Sequence, residues 1–155
     1  MTESIRTDEL ASLIGQEQEP SSWLEIDQQR INQFADATND HQFIHIDAEK
    51  AAQTPFCGTI AHGFLTLSLV YFLITENTRP VEGTEMVFNY GLDKVRFLQP
   101  VRVGSRIRAR QVLLEVVEKK PGQWLTKTAV TIEIENLEKP AMIAEFLAMT
   151  IVKQT

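Results

Sequence analysis

The feature that most constrains this chain is an apolar run, FLTLSLVYFLI, which extends from Phe64 to Ile74. The run is too short to cross a bilayer, since a membrane-spanning helix needs about 20 apolar residues. Its length instead predicts a buried core helix, which we place from Gly63 to Asn77. Apolar side chains occur on nearly every side of that helix. Other elements of the fold must therefore enclose it.

The second half of the chain contains elements that can enclose a helix. Four β-rich segments follow Gly83, namely TEMVFNYGLDKVRFL, SRIRARQVLLEVVE, QWLTKTAVTIEIE and AMIAEFLAMTIVK. RIRARQV and KTAVTIEIE alternate polar and apolar residues, which is the period of a half-buried strand. KKPGQ predicts a hairpin turn, and NLEKP predicts a connection between the last two strands. Together these patterns favour an α+β fold, in which a long antiparallel sheet wraps around the apolar helix.

The first half of the chain is predicted to form short helices joined by loops. One helix covers Thr7 to Ile14 with Thr7 as its N-cap, and SSWLEI is a brief strand. A second helix begins after Asp27 and ends at Asn39, and Asp47 caps a third through AEKAAQ. PFCGTIAHG is a loop. No linker rich in Pro, Gly or Ser divides the chain, so residues 1–155 are expected to form a single domain.

Charge and cysteine content narrow the choice of partners and of compartment. The net charge is −6 and no basic stripe is present, so we expect no nucleic-acid partner. Cys57 is the single cysteine and cannot form a disulfide within the chain. The first residues, MTESIRTDEL, lack the apolar segment of a signal peptide. We therefore expect a cytoplasmic protein that does not bind a membrane.

Titratable side chains are concentrated in NDHQFIHID, residues 39–47. His41 and His45 lie in this segment, and His62, the remaining histidine, follows in IAHG. A polar loop after a helix often carries such residues as caps and turn formers. Phe43 and Ile44 indicate, however, that the segment is partly buried. A buried polar group without a partner costs roughly 1–3 kcal/mol, so these side chains need partners or a function.

A metal site is one functional interpretation of this segment. His41 and His45 have the outer spacing of the H-E-x-x-H motif, but Gln42 stands where that motif has its catalytic Glu. The preceding helix is expected to end at Asn39, so the two imidazoles would not share a helix face. A metal hydrolase built on His41, His45 and His62 remains an alternative.

Acid–base chemistry by Asp40 and His45 is the other functional interpretation. A carboxyl and an imidazole in one pocket can share a single water, and positioned proton transfer accelerates reactions by about 10²–10⁴-fold. Gly63 lies at the predicted start of the apolar helix, where backbone N–H groups are unpaired and a ligand can approach closely. A simple turn from loop to helix explains Gly63 equally well.

ATNDHQFIHIDAEKAA followed by PFCGTIAHGFLTLSL resembles the MaoC-like (R)-specific enoyl-CoA hydratases, also called hydratase 2. The signature of that family is approximately [ST]-G-D-x-N-P-[LIV]-H, then five residues, then Ala or Ser. The residues that match are Thr38, Asp40, Ile44, His45 and Ala51, and those that depart are Asn39, Gln42 and Phe43. DHQFIHID and NYGLDKVRFLQPVRVGS are similar to one branch of the family. That branch includes the nodulation protein N type and short single-domain hydratases of polyhydroxyalkanoate-producing bacteria.

The resemblance implies a hotdog fold, in which a long antiparallel sheet wraps around one central helix. It implies a homodimer whose acyl tunnel lies near the subunit interface. The reaction would be the reversible syn addition of water to a trans-2-enoyl-CoA, giving the (R)-3-hydroxyacyl-CoA. The substrate would be an acyl-CoA thioester, and no metal or redox cofactor is implied.

The resemblance also assigns roles to residues. Asp40 and His45 would hold the catalytic water, with the division into acid and base left open, and the Gly63 N–H would bind the thioester oxygen. The candidates for substrate contacts are Gln42, Phe43, His62, Lys94 and Arg96. Arg102 and Arg106 are further candidates for binding the phosphates of CoA.

Two alternatives use the same fold. A hotdog thioesterase generally places an acid on the central helix, and the predicted helix has only Glu76, near its far end. A non-catalytic acyl-CoA-binding hotdog protein would need Asp40 and His45 as structural residues. The hydratase is the interpretation that we prefer.

Overall fold

The computed structural model describes residues 4–153, in which one antiparallel sheet curls around a central apolar helix. The strands are β1 (Leu24–Glu25), β2 (Thr84–Phe97), β3 (Arg106–Lys120), β4 (Gln123–Ile134) and β5 (Met142–Val152). They lie side by side in the order β1-β3-β4-β5-β2. The predicted α+β layout is confirmed, and each of the four long strands forms within the β-rich segment that predicted it, to within two residues at either end.

The helices are α1 (Gln28–Thr38), α2 (Phe43–Ile46), α3 (Ala48–Ala52), α4 (Gly63–Ser68) and α5 (Val70–Thr75). The predicted apolar helix consists of α4 and α5. At Leu69, between them, the backbone stays helical, with φ −81° and ψ −10°. The Leu69 N–H donates to the Leu65 carbonyl at 3.1 Å, and the Leu69 carbonyl accepts from Leu73 at 3.0 Å. The two segments therefore form one helix with a local irregularity, ending at Thr75 rather than at Asn77.

The helix ends test the caps that the sequence predicted. Asp27 accepts a hydrogen bond from the Arg30 N–H at 2.8 Å, and Asp47 accepts one from Lys50 at 3.0 Å, so both predicted N-caps are confirmed. Asn39 ends α1 in the left-handed conformation, with φ 57°.

The first helix differs from its prediction. Residues Thr7–Leu13 form a 3-10 helix, and its N-cap is Arg6 instead of Thr7. The Arg6 N–H donates to the carboxylate of Glu9 at 3.0 Å, so the cap depends on a side chain three residues further along.

Alternating burial along β3 and β4 forms the inner face of the sheet. Ile107 and Ala109 on β3 and Val130 and Ile132 on β4 are buried in the same core as the inner side of the helix. Pro121 and Gly122 form the tight turn between β3 and β4, and Gly122 has φ +75°, a left-handed conformation that glycine adopts without strain. The predicted hairpin is therefore confirmed.

The two edges of the sheet differ. At one edge the segment 15–26 runs along β3, with backbone hydrogen bonds from Gly15, Gln18 and Ser21 to β3 carbonyls and β1 as a short regular pairing. At the other edge β2 pairs with β5 along one side only. Within residues 4–153, β2 is thus the one long strand with an unpaired edge.

One side of the central helix is not enclosed, contrary to the prediction. Phe64 is 66% exposed and Phe72 is 59% exposed, and Tyr71 is exposed as well. The neighbouring β2 exposes further large apolar side chains, which are Met86, Phe88, Tyr90, Leu92 and Phe97. We call these eight residues the apolar surface. Among residues 4–153, no helix has the length and hydropathy needed to span a membrane.

Candidate active site

The segment from Asn39 to Gly63 forms the site at the start of the central helix. The left-handed turn at Asn39 ends α1 and leads to Asp40. His45 lies on α2, a single helical turn that the sequence did not predict. A backbone hydrogen bond from the Ile60 N–H to the Ile44 carbonyl, at 3.0 Å, holds α2 against the loop that enters α4.

His45 is a buried imidazole with a defined tautomer. Its ring is 6% exposed, and Nδ1 lies 2.7 Å from the Ile60 carbonyl. Because a carbonyl only accepts, Nδ1 carries the hydrogen, and Nε2 of the neutral ring has a free lone pair. Burial lowers the pKa of His45 below its ordinary value of 6.5, and the adjacent His62 acts in the same direction. Near neutral pH, His45 is therefore an uncharged base.

Asp40 lies close to His45 but in a wetter environment. Its side chain is 53% exposed, and Oδ1 accepts a long hydrogen bond of 3.4 Å from the Gln42 N–H. A carboxylate oxygen of Asp40 and a ring nitrogen of His45 lie within 4.8 Å of each other. A single water placed off the line between these two atoms can make a hydrogen bond of ordinary length to each of them. The structure thus brings together the two residues that the sequence paired.

His62 is a third member of this cluster. Its ring is 3% exposed and stacks on the His45 ring, with 3.7 Å between centroids and 23° between planes. Nε2 donates to the backbone carbonyl of Asp40 at 2.9 Å and lies 4.0 Å from its carboxylate. This burial does not fit the substrate contact that we expected for His62.

The metal alternative does not fit the arrangement of the histidines. His41 is exposed and pairs with Asp36 at 2.8 Å, outside the cluster of Asp40, His45 and His62. Stacked rings hold their lone pairs in nearly parallel planes. Those lone pairs do not converge on one ion at the usual 2.0–2.1 Å or so for zinc and nitrogen. An ion in this cluster would require one ring to rotate out of the stack.

Gly63 opens onto a cleft of about 380 Å³ that His45, Thr66 and Phe97 also line. Gly63 is the first residue of α4, so no carbonyl of a preceding helical turn accepts its N–H. A Cβ added at Gly63 would lie 3.1 Å from Cδ1 of Phe97. A Cβ here would be closer to the aromatic ring than ordinary van der Waals contact, so the ring or the start of α4 would have to shift by a few tenths of an ångström. Local patterns in the sequence do not reveal this contact, which joins residues 34 positions apart.

The remaining candidates for substrate contacts lie on the surface. Gln42 is the N-cap of α2, and both Gln42 and Phe43 are exposed. On β2, Lys94 pairs with Glu145 at 3.0 Å, whereas Arg96 donates to the carbonyl of Val95.

Two further arginines were candidates for the CoA phosphates. Arg106 pairs with Glu135 at 3.1 Å. Arg102 forms a backbone bridge with Ile60, next to the site. Within residues 4–153, neither Arg96 nor Arg102 forms an ion pair.

A second cavity, of about 360 Å³, lies between the end of α5 and the inner face of the sheet. Tyr71 and Ile74 of α5 and Phe146 and Ala148 of β5 form part of its lining. Gln111 closes one wall, where its amide donates to the Ile74 carbonyl at 2.7 Å. The lining is mostly apolar, as is typical of sites for small ligands with a hydrocarbon part.

A sheet curled about one helix, with a neutral imidazole and a carboxylate within 4.8 Å of each other at the start of that helix, defines a hotdog protein with a candidate acid–base site. Comparison with known proteins gives this class a family. A family profile described as "MaoC like domain" matches residues 9–136. The chain belongs to the MaoC-like domain family, and the resemblance found in the sequence is confirmed.

Individual relatives agree with this assignment. Nodulation protein N of Rhizobium meliloti is 47% identical over 94% of this chain and 91% of its own length. The 3-hydroxyacyl-thioester dehydratase Z of Mycobacterium tuberculosis is 46% identical over 88% of this chain and 90% of its own. The unliganded R-hydratase PhaJ1 of Pseudomonas aeruginosa superimposes with a TM-score of 0.69 at 26% identity, covering 90% and 83% of the two chains. The chain is a hydro-lyase of this family.

Proposed function

We propose that the protein adds water reversibly to a trans-2-enoyl-CoA and gives the (R)-3-hydroxyacyl-CoA. One observation carries this proposal. A carboxylate oxygen of Asp40 lies at most 4.8 Å from a ring nitrogen of His45, a separation that fits one shared water. The cleft beside that water contains the Gly63 N–H, which is free to bind a thioester oxygen. The name of the mycobacterial relative, a dehydratase of 3-hydroxyacyl thioesters, supports the same chemistry.

The tautomer of His45 suggests how the protons move. Nε2 of the neutral ring takes a proton from the water as the water oxygen bonds to Cβ of the enoyl group. Asp40 orients the water as a carboxylate. The proton that Nε2 has taken from the water is then delivered to Cα, which leaves the imidazole neutral again. Dehydration follows the same steps in reverse.

Gly63 stabilises the charge that develops during this reaction. As the hydroxyl adds to Cβ, negative charge builds on the thioester oxygen, and the Gly63 N–H donates to it. A donor of this kind is typically worth about 2.7–4 kcal/mol in the transition state. Phe97, packed over Gly63, excludes water from that hydrogen bond.

The two ends of the substrate, CoA and the acyl chain, extend from the site in different directions. The CoA phosphates lie near Arg96 and Arg102, whose guanidinium groups are not engaged by carboxylates, with Lys94 nearby on the same strand. The acyl chain follows the helix toward the apolar cavity at the end of α5. Gln42 and Phe43 lie at the entrance. The reaction uses no metal or redox cofactor, since CoA is part of the substrate.

A second copy of the chain covers the apolar surface in this proposal. Pairing of two β2 strands extends the sheet across a dimer, and the exposed side of each central helix packs against its partner. The acyl tunnel then lies near the subunit interface. The cytoplasmic location stays a prediction.

The thioesterase alternative loses its candidate acid. Glu76 accepts hydrogen bonds from both the backbone N–H and the hydroxyl of Ser22, so its carboxylate joins the helix end to the chain before β1. It is not directed at the cleft that contains His45 and Gly63. The absorbance assay described next distinguishes the hydratase from the non-catalytic alternative.

The test measures absorbance near the enoyl-thioester band after crotonyl-CoA, and then a medium-chain trans-2-enoyl-CoA, is added to pure protein. Asp40→Asn and His45→Gln should each lower the rate by about 10²–10⁴-fold while remaining folded. Asp36→Asn, which removes an exposed carboxylate from the last turn of α1, should keep the wild-type rate.

The stereochemistry of the product completes this test. The product should be oxidised by an (R)-specific dehydrogenase and not by an (S)-specific one. Product of the opposite hand, or a folded Asp40→Asn variant with the wild-type rate, would contradict the proposal.

A further inference from the structure

We propose that His62 is a positioning residue, which holds Asp40 and His45 at the separation that one water bridges and makes no contact with substrate. This inference rests on the function proposed above. It concerns a side chain buried to 97% of its surface, whose Nδ1 has no hydrogen-bond partner within residues 4–153. An unpartnered polar atom in a core calls for an explanation, because native structures contain few of them.

His62 contacts each of the two residues that hold the water. Its Nε2–H donates to the main-chain carbonyl of Asp40 at 2.9 Å, and its ring face lies on the His45 ring at 3.7 Å. Phe34 packs against the ring at 5.0 Å between centroids, at an angle of 54°. One rigid side chain therefore sets the distance between the carboxylate and the imidazole.

Asp40 depends on this anchor more than His45 does. It follows a left-handed turn, its side chain is half exposed, and its own side-chain hydrogen bond is long, at 3.4 Å. His45 has a second anchor in the Ile60 carbonyl. Loss of the bond from His62 therefore releases the backbone of Asp40 first.

His62 also connects the acid–base pair, Asp40 and His45, to the start of the helix that provides the proposed oxyanion donor, Gly63. It is the N-cap of α4, and its carbonyl accepts the Leu65 N–H at 3.0 Å, so its backbone is fixed to the helix that begins at Gly63. The side chain and the main chain of one residue thus connect the water, the base and the thioester site. A buried apolar residue of similar size would fill the space but could not donate to Asp40.

The tautomers of the two stacked rings are opposite. The Asp40 carbonyl only accepts, so the hydrogen of His62 is on Nε2, whereas that of His45 is on Nδ1. Two acceptors in the main chain thus select the two tautomers. This arrangement leaves the Nε2 lone pair of His45 for the water and places the Nδ1 lone pair of His62 in the core.

Two substitutions separate the contacts of His62. His62→Gln places an amide N–H where Nε2 lay and keeps a donor for Asp40, but it removes the ring. His62→Phe keeps the stacked ring and removes the donor. Both should lower kcat with little change in KM, and His62→Phe should lose more, about 10²-fold, since a displacement of about 1 Å can cost that much.

A pH profile separates positioning from simple packing. His62 helps to lower the pKa of His45, so both variants should move the acid limb of kcat/KM to higher pH. Ser21→Ala is the control for general loss of stability, because Ser21 is equally buried and accepts from the Ala109 N–H away from the cleft. That variant should keep the wild-type kcat and pH profile.

Other outcomes would overturn the inference. A folded His62→Phe variant with the wild-type kcat and profile would show that the donor is unnecessary. A raised KM with unchanged kcat would assign His62 to substrate binding. If the variants do not fold, the ring-nitrogen NMR shifts of the wild-type protein decide, since both histidines in the same tautomer would also overturn it. Absence of hydration by the wild-type protein would instead refute the proposed function.

Discussion

His45 and Asp40 share a site but differ in environment. The imidazole is buried and bonded to a main-chain carbonyl, whereas the carboxylate is half exposed to solvent. Burial disfavours the charged form of a group, so the buried partner stays neutral and is able to accept a proton. The exposed partner lies where solvent reaches it and can orient a water. This difference lets one pair of residues perform two functions.

The lowered pKa of His45 predicts the acid limb of the pH profile. The rate requires the neutral ring, so kcat/KM should fall only at a pH below 6.5, the ordinary value for histidine. Initial rates of hydration between pH 4.5 and 8 measure this limb. A limb above pH 6.5 would mean that His45 is not the base or that its burial is lost in solution.

The same group links stability to pH. Below pH 6.5 the unfolded chain binds a proton at His45 before the folded chain does, because the folded pKa is the lower one. The contribution of His45 to the free energy of unfolding is therefore complete above pH 6.5 and is lost as pH falls through the folded pKa. Urea denaturation across this range, with His45→Gln as the control that lacks the effect, measures the contribution.

Gly63 allows a prediction that depends on a single methyl group. Gly63→Ala places Cβ against the Phe97 ring, at 3.1 Å before relaxation, so the ring or the helix start must move. We expect a loss of about 10²-fold in kcat/KM, because the oxyanion donor is displaced. Gly91→Ala is the matched control, since its Cβ would meet Leu147 at an ordinary 3.8 Å. Equal rates for the two variants would argue against Gly63 as the donor.

At the scale of elements, the turn at Asn39 determines where the site begins. Asn39 has φ 57°, a conformation that costs most residues roughly 1–2 kcal/mol and that Asn and Gly tolerate. Asn here and Gly in the related signature therefore serve the same turn.

Stability measurements check this equivalence. Asn39→Gly should leave the free energy of unfolding nearly unchanged, whereas Asn39→Val should lower it by about 1–2 kcal/mol. Urea denaturation gives both values. A stable Asn39→Val variant would mean that the turn relaxes to another conformation.

The sequence predicted the long elements better than the short ones. β3 and β4 have enough alternating residues for the period to be read, and Asp27 and Asp47 are cap formers with a local mechanism. α2 has only four residues, too few for any periodicity. Arg6 is an N-cap only because Glu9 bonds back to it, which residue preferences do not reveal.

The site was predicted in part for a related reason. Asp40 and His45 are close in the chain, so the residues themselves indicated the pair and the family resemblance then supported it. The stack of His62 on His45 and the contact of Phe97 with Gly63 join residues far apart in sequence. Such contacts arise only when separate elements pack against one another, so local patterns do not reveal them.

At the scale of the molecule, the apolar surface predicts a dimer. Tyr90→Glu, in the middle of β2, should shift the protein toward monomer in sedimentation velocity, because it would bury an unpaired charge at the interface. Leu114→Glu makes a comparable change at an exposed apolar residue of β3, away from β2, and should leave the dimer intact. A wild-type monomer at micromolar concentration would contradict the pairing.

The apolar composition of the central helix does not indicate which of its sides the chain itself covers. The sequence predicted that every side of this helix is covered, and the single chain covers only part of it. Side chains that meet the chain's own sheet and side chains that meet a second copy are equally apolar. The sequence therefore does not distinguish the two groups of side chains.

The unequal edges of the sheet limit how far copies of the chain can join. If the β2 strands of two copies pair, the unpaired edge of each β2 becomes hydrogen-bonded to the other. The outer edge of each copy is then β3, which the irregular segment 15–26 already occupies with hydrogen bonds of its own. In such a dimer no long strand of residues 4–153 would keep an unpaired edge, so strand pairing would end at two copies. The strand that favours association would then also limit polymerisation into fibrils.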